Sequence, residues 1–196
     1  MLLVSRCARC REPGPAVCHA CAAELVRAAS SPAPLGLDGW SALLRYDDAA
    51  RAVLTVLKNG QRRDLVTWVA DRAALALPRP EAHTVTWAPT GPARRRARGF
   101  DQAELVARAL ARRWDLPCRR LLVRLPGPPQ AGRGGAERRG NPRFSTRRRS
   151  PRSVVVVDDV ATTGATLTAA SRALRAAGAE EVRAVVLARA ARPIAH

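Results

Sequence analysis

The sequence predicts an α/β domain built on a mostly parallel sheet and preceded by a compact cysteine module. Three observations predict it. Segments rich in β-branched and apolar residues alternate with segments whose apolar residues recur at helical spacing, the order expected of βαβ units. The run Val154-Val155-Val156-Val157 is apolar at every position, as suits a strand covered on both faces. Four of the five cysteines stand in two Cys-x-x-Cys pairs near the N-terminus. A chain of 196 residues accommodates one medium α/β core plus such an appendage.

In chain order, residues 1–27 read as the cysteine module, with a short helix over 22–27. Residues 28–39, rich in Pro, Ser and Gly, read as a linker, and 40–196 as the main domain. Residues 40–46 are expected as a strand, 49–58 and 65–77 as helices, and 84–88 as a strand. Residues 102–114 place Ala103, Val106, Ala107, Leu110 and Ala111 on one helical face. A short strand is expected over 121–124. After the valine run come a helix over 166–177, ended by Gly178 as C-cap, and a buried strand over 182–188. Residues 127–153 are rich in Gly, Pro and Arg and lack apolar periodicity, which predicts a long loop or arm.

The formal net charge of +18 favours polyanionic partners: nucleic acid, a phosphorylated substrate or an acidic protein. Charge alone does not choose among them. Lys58 is the only lysine, and with abundant Ala, Gly and Pro that skew reads as coding bias; the positive excess itself is what bears on function. Residues 1–6 are too short in apolar residues for a signal-peptide core, and no segment approaches the ~20 apolar residues of a membrane span, so a cytoplasmic protein is expected.

The most informative stretch runs from Val154 to Leu167. A buried strand is expected to end in Asp158 and Asp159, then pass through Thr162-Thr163-Gly164 into a helix. Parallel α/β sheets bind ligands at the carboxyl ends of their strands. The first backbone N–H groups of the helix lack intrahelical partners and sit at the positive end of its dipole, so they suit a phosphate. Thr162, Thr163 and Thr166 add hydroxyl donors, and Gly164 permits close backbone approach. The carboxylates cannot hold an anion, but they can accept from vicinal ribose hydroxyls. Together these features specify a sugar phosphate; the alternative is an ordinary strand-to-helix turn capped by Asp and Thr. A sugar-phosphate site requires that both carboxylates and the turn share a pocket open to solvent.

This stretch resembles the 5-phosphoribosyl-diphosphate (PRPP) motif of type I phosphoribosyltransferases. More of the chain resembles the ComF family of competence-associated proteins. Arg94-Arg95-Arg96-Ala97-Arg98-Gly99-Phe100-Asp101-Gln102 is similar to that family's Arg-x-Arg-Gly-Phe-Asn-Gln segment, and Gln130, Arg138 and Asn141 match its Gln…Arg-x-x-Asn pattern. An N-terminal zinc module precedes both there and here. Two features depart: Ala88-Pro89-Thr90 stands for Pro-Val-Pro, and Asp101 for Asn. The resemblance implies a type I phosphoribosyltransferase fold. It implies that Asp158 and Asp159 contact the ribose hydroxyls, and that Ala161, Thr162, Thr163, Gly164, Ala165 and Thr166 hold the 5-phosphate.

Arg94, Arg95, Arg96 and Arg98 follow a strand expected at 84–88, within guanidinium reach of a diphosphate, with Arg94 and Arg98 as catalytic candidates. A solvated loop is the other reading, with Gly99 setting a turn and Phe100 anchoring it in the core. Lys58 ends a helix as a cation favoured by the helix dipole; Lys58-Asn59-Gly60 also matches a Lys-x-Gly position of the resembled family that lies near the site, and the resemblance implies a diphosphate contact as the other reading. The arginine-rich arm over 133–152 reads as a solvated arm, as closure over PRPP, or as a contact for single-stranded nucleic acid, for which aromatic stacking surface is scarce.

In a reducing compartment, Cys7-x-x-Cys10 and Cys18-x-x-Cys21 point to metal rather than disulfides. Four thiolates suit tetrahedral zinc, and four protein ligands leave no open position, so the site is expected to be structural. Redox-active thiols are the alternative. His19 is expected to be exposed, Cys118 to be a small buried hydrophobe, and His83 and His196 lack triad partners.

Two functions follow. One is an enzyme that binds PRPP with Mg²⁺ and transfers phosphoribosyl to a nucleobase or amine. The other is an accessory of DNA uptake that keeps the fold and engages single-stranded DNA or DNA-processing proteins.

Overall fold

The computed structural model describes residues 5–60, 62–126 and 142–190. The elements are α1 (His19–Ala23), β1 (Gly39–Arg45), α2 (Asp48–Asn59), α3 (Arg63–Ala76), β2 (Thr84–Trp87), α4 (Pro92–Arg98), α5 (Gln102–Arg113), β3 (Leu122–Arg124), β4 (Phe144–Thr146), β5 (Ser153–Ala161), α6 (Ala165–Ala176) and β6 (Glu181–Arg189).

Four strands form one all-parallel sheet in the order β1-β6-β5-β2. Alternate side chains of β5 leave on opposite faces, as strand geometry requires. Val155 and Val157 join α2, α3, α5 and the buried cysteines Cys7 and Cys21 in one apolar layer. Val154 and Val156 join Leu167, Ala170 and Leu174 of α6, with Leu121 and Leu122, in the other. An uninterrupted valine run therefore serves both layers. Among the described residues no helix is long and apolar enough to cross a membrane.

Both sheet edges are covered, which removes exposed strand donors and acceptors. Residues 26–28 run antiparallel along β1, with Arg45 N–H donating to Val26 O at 2.8 Å and Ala28 N–H to Leu43 O at 3.2 Å. Along β2, Val85 N–H donates to Pro117 O at 2.8 Å and Arg119 N–H to Val85 O at 2.9 Å. Residues 34–38 lie against α6: Gly36 O accepts from Ser171 Oγ and from Arg175 Nε, and Asp38 pairs with Arg175 at 2.6 Å.

Several elements differ from the sequence reading. The first helix starts at His19, because Cys21 must turn inward beside Cys7, and residues 26–28 are drawn out to pair with β1. The arginine segment is the helix α4 rather than a loop: Pro92 opens it and Gly99, at φ 77°, closes it. Phe100 is half-buried and is not part of either apolar layer. β3 lies outside the main sheet and pairs antiparallel with β4, a strand inside the region read as loop. The remainder of that region, 127–141, with Gln130, Arg138 and Asn141, and also His196, lies outside the described residues. Finally, Asp158 and Asp159 do not end the fifth strand. It continues to Ala161 because β6 keeps pairing it, with Asp158 opposite Val186 and Val160 opposite Ala188.

Candidate functional site

The carboxyl ends of β2 and β5, with residues of four helices, line a polar cavity of about 210 Å³. Lys58 reaches it from the last turn of α2, Arg94 and Arg98 from α4, and Thr166 from the first turn of α6. Asp158 and Asp159 line it from β5, and Asp101, Gln102 and Arg124 add to the polar lining. The carboxylates are thus sunk in the fold yet open onto a shared space.

Asp158 is 9% exposed, and its Oδ1 accepts the Asp159 N–H at 2.8 Å. Burial and then the charge of Asp159 push its carboxyl well above the ordinary range, while Lys58 and Arg124 pull the other way. Asp159 is held by two hydrogen bonds and an ion pair. Its Oδ2 accepts from Gln102 Nε2 at 2.7 Å and pairs with Lys58 Nζ at 3.3 Å, and its Oδ1 accepts the Val160 N–H at 2.6 Å. Arg98 in turn donates to Gln102 Oε1 at 3.2 Å.

Asp101 stands where the resembled family has Asn. It is 2% exposed, caps α5 through the Ala103 N–H at 3.2 Å and fixes the preceding segment through the Thr90 N–H at 2.8 Å. Burial raises its carboxyl. Arg124 lies over the Phe144 ring at 5.7 Å, a cation on an aromatic face. Burial and then Arg94 lower its pKa, but a guanidinium stays charged.

After Ala161 the chain turns. Thr162 and Thr163 are exposed, Thr163 Oγ1 accepts the Ala165 N–H at 3.3 Å, and Gly164 at φ 77° leads into α6. Only glycine fits there. Its φ is left-handed, and a Cβ would meet the Pro34 side chain at 2.8 Å. The N–H groups of the first turn of α6 face the same end of the sheet as the carboxylates, a geometry that suits an anion.

Of the residues singled out from sequence, Lys58, Arg94, Arg98, Asp158, Asp159 and Thr166 come together in the cavity. Ala161, Thr162, Thr163, Gly164 and Ala165 form the adjoining turn rather than the cavity lining. Arg95 pairs with Glu104 at 3.8 Å and Arg96 is exposed, so neither lines the cavity. Asp101, Gln102 and Arg124 are among the lining residues to which the sequence assigned no role. For the first two the signal was a polar pair opening a helix; for Arg124 only pairing with β4 reveals its direction.

The four N-terminal thiols form a second cluster. The sulfur atoms of Cys7, Cys10, Cys18 and Cys21 all lie within 4.8 Å of one another, and Cys10 and Cys18 are 3.8 Å apart. Tetrahedral zinc with bonds of about 2.3 Å requires sulfur separations near ~3.8 Å, so one metal ion fits this donor set. Burial opposes ionisation of Cys7, but the backbone N–H groups of Cys18, Arg9 and Cys10 outweigh it and bring the thiol down to about 6. Burial and the other thiols push Cys21 up to about 12. A cation is what lets all four ionise together. Cys118 is half-buried, packs on the core and is raised by burial to about 11, as an inert thiol should be. His19 and His83 are exposed.

Residues 103–195 match the phosphoribosyl transferase domain family. With the parallel sheet, that match makes this a parallel-sheet α/β fold of the phosphoribosyltransferase type. No curated protein matches the chain. Similar solved structures include a purine phosphoribosyltransferase from Pyrococcus horikoshii Ot3, at 22% identity over 62% of this chain and 74% of that one, TM-score 0.41. The allosteric regulatory enzyme of purine biosynthesis is similar at 22% identity over 72% of this chain and 31% of that one, TM-score 0.47. Hypoxanthine phosphoribosyl transferase of Trypanosoma cruzi is similar at 20% identity over 65% of this chain and 64% of that one, TM-score 0.37.

Proposed function

We propose that the chain binds PRPP with Mg²⁺ in the cavity between β2 and β5 and transfers the phosphoribosyl group to a nucleobase or amine. The observation that carries this reading is the placement of three carboxylates, four basic side chains and the start of α6 around one polar space. In this reading the amides and hydroxyls of the Thr162–Thr166 turn receive the 5-phosphate, and the carboxylates accept the ribose hydroxyls. Lys58, Arg94 and Arg98 face the diphosphate. As the bond from ribose C1 to diphosphate oxygen breaks, its electron pair leaves with the diphosphate, and the acceptor nitrogen forms the new bond at C1. Cations fixed at the leaving group stabilise the charge that develops there, which is worth most in a cavity poor in water. Mg²⁺ would enter with the diphosphate oxygens it prefers and share in neutralising them. No covalent nucleophile is required.

Calorimetry with PRPP and Mg²⁺ tests the reading. Wild type should bind and the Asp158→Asn, Asp159→Asn double variant should not; equal binding would reject the assignment. The metal held by the four cysteines is proposed to be one structural zinc, checked by elemental analysis of the purified protein.

A ComF-like role in DNA uptake, in the cytoplasm, is a second reading. The observation that favours it is the group of exposed arginines Arg119, Arg120, Arg143, Arg147, Arg148 and Arg149 on and beside the β3–β4 pair. Affinity for single-stranded DNA should then fall steeply with salt. No binding at low salt would remove it.

A further inference from the structure

We propose that Gln102 is a positioning residue that fixes the orientation in which the Asp159 carboxylate meets the ribose; this rests on the PRPP reading of the cavity. A carboxylate offers about four lone-pair positions. Asp159 has one position on Oδ2 taken by Gln102 Nε2 at 2.7 Å and one on Oδ1 taken by the Val160 N–H at 2.6 Å, while Lys58 Nζ forms an ion pair with Oδ2 at 3.3 Å. Among the described residues one position on each oxygen accepts no hydrogen bond. The directions of these positions are fixed because the carboxylate is held by its own strand β5 through Val160 and by Gln102 at the start of α5.

Gln102 is suited to the task by its own restraint. It is 5% exposed, and its amide is oriented by two partners of opposite demand: Asp159 requires its N–H and Arg98 requires its oxygen. A flipped amide would set oxygen against carboxylate and N–H against guanidinium. It also begins a helix whose N-cap, Asp101, is itself buried and doubly hydrogen-bonded, so the backbone beneath the amide is held. Lysine alone would not serve, since an ammonium at the end of four methylenes neutralises a carboxylate without directing it. Among the described residues Lys58 is the cation paired with Asp159 and the Gln102 bridge adds no further charge, so the free lone pairs stay strong acceptors.

The test uses the full chain and two ligands. Inorganic phosphate has no hydroxyls to offer the carboxylates and so reports on the anion-binding groups alone, whereas ribose 5-phosphate also meets the carboxylates. In Gln102→Leu, ribose 5-phosphate affinity should fall about tenfold, the range of one charge-assisted hydrogen bond, while phosphate affinity stays within about twofold. Gln102→Glu keeps the shape and the acceptor for Arg98 but loses the donor, and should fall at least as far. The side-chain carboxyl ¹³C resonance of Asp159, read without ligand, should move in both variants. A purely structural role would lower both affinities together. Parallel loss, unchanged ribose 5-phosphate binding, or an unmoved Asp159 resonance would each overturn the inference. A wild-type protein that binds neither ligand would instead overturn the PRPP reading, and the ribose role of the bridge with it.

Discussion

Burial gives Asp158 a cost that its neighbour Asp159 increases. Its carboxyl is raised in the fold, so the folded protein keeps a proton that the unfolded chain releases near ~4. Stability should therefore decline as pH rises from ~4 towards the folded-state value, and this group should leave it unchanged below ~4. Asp158→Asn never ionises. It should melt above wild type at pH 7–8 and converge with it near pH 4 in calorimetric scans. The same variant should bind PRPP more weakly, so stability and binding move in opposite directions at this residue. Gly164 is constrained twice, by φ 77° and by the Pro34 side chain, which lies 2.8 Å from where a methyl group would stand. Gly164→Ala should cost on the order of 1–3 kcal/mol in denaturant unfolding. Adding Pro34→Ala should recover part of that loss, since it relieves the contact and leaves the backbone strain.

At the scale of elements, α2 connects stability to the cavity because its last turn carries Lys58. Asp47 caps its start, accepting the Ala50 N–H at 3.0 Å, and that bond, helped by Arg45, holds its carboxyl below the ordinary range against the effect of burial. Asp47→Ala should lower stability by about 1 kcal/mol at neutral pH. For a depressed carboxyl the contribution is present above ~4 and is lost as pH falls, so wild type and variant should draw together in acid. The elements most legible in the sequence were those whose periodicity reflects burial on one face or two: α2, α3, α5, β1 and β6 lie within two residues of their expected bounds. α4 was hidden because it buries no residue and so shows no apolar stripe. β4 was hidden because three residues facing one partner strand leave almost no pattern.

For the whole molecule, the cysteine cluster is joined to the core, since Cys7 and Cys21 sit in the same apolar layer as α2, α3 and α5. Ser5 and Arg62 both bond Asp64 at the start of α3, tying the module to the helix that follows Lys58. Chelation of a bound metal should therefore lower the melting temperature of the entire protein rather than release an independent module, and Cys10→Ser should mimic it; a single unchanged transition in calorimetry would contradict this coupling. The sequence by itself determined the alternation of strand and helix, the two-layered sheet, the thiol cluster and the acidic strand leading into a glycine turn, because each is written in residues close along the chain. Tertiary structure alone decided that the fifth strand runs on past its carboxylates, that Lys58 and Gln102 converge on Asp159 from separate helices, and that Pro34 closes on Gly164. Those contacts join residues separated by dozens of positions, and the chain carries no local pattern for a partner that distant until the sheet has set the distance between them.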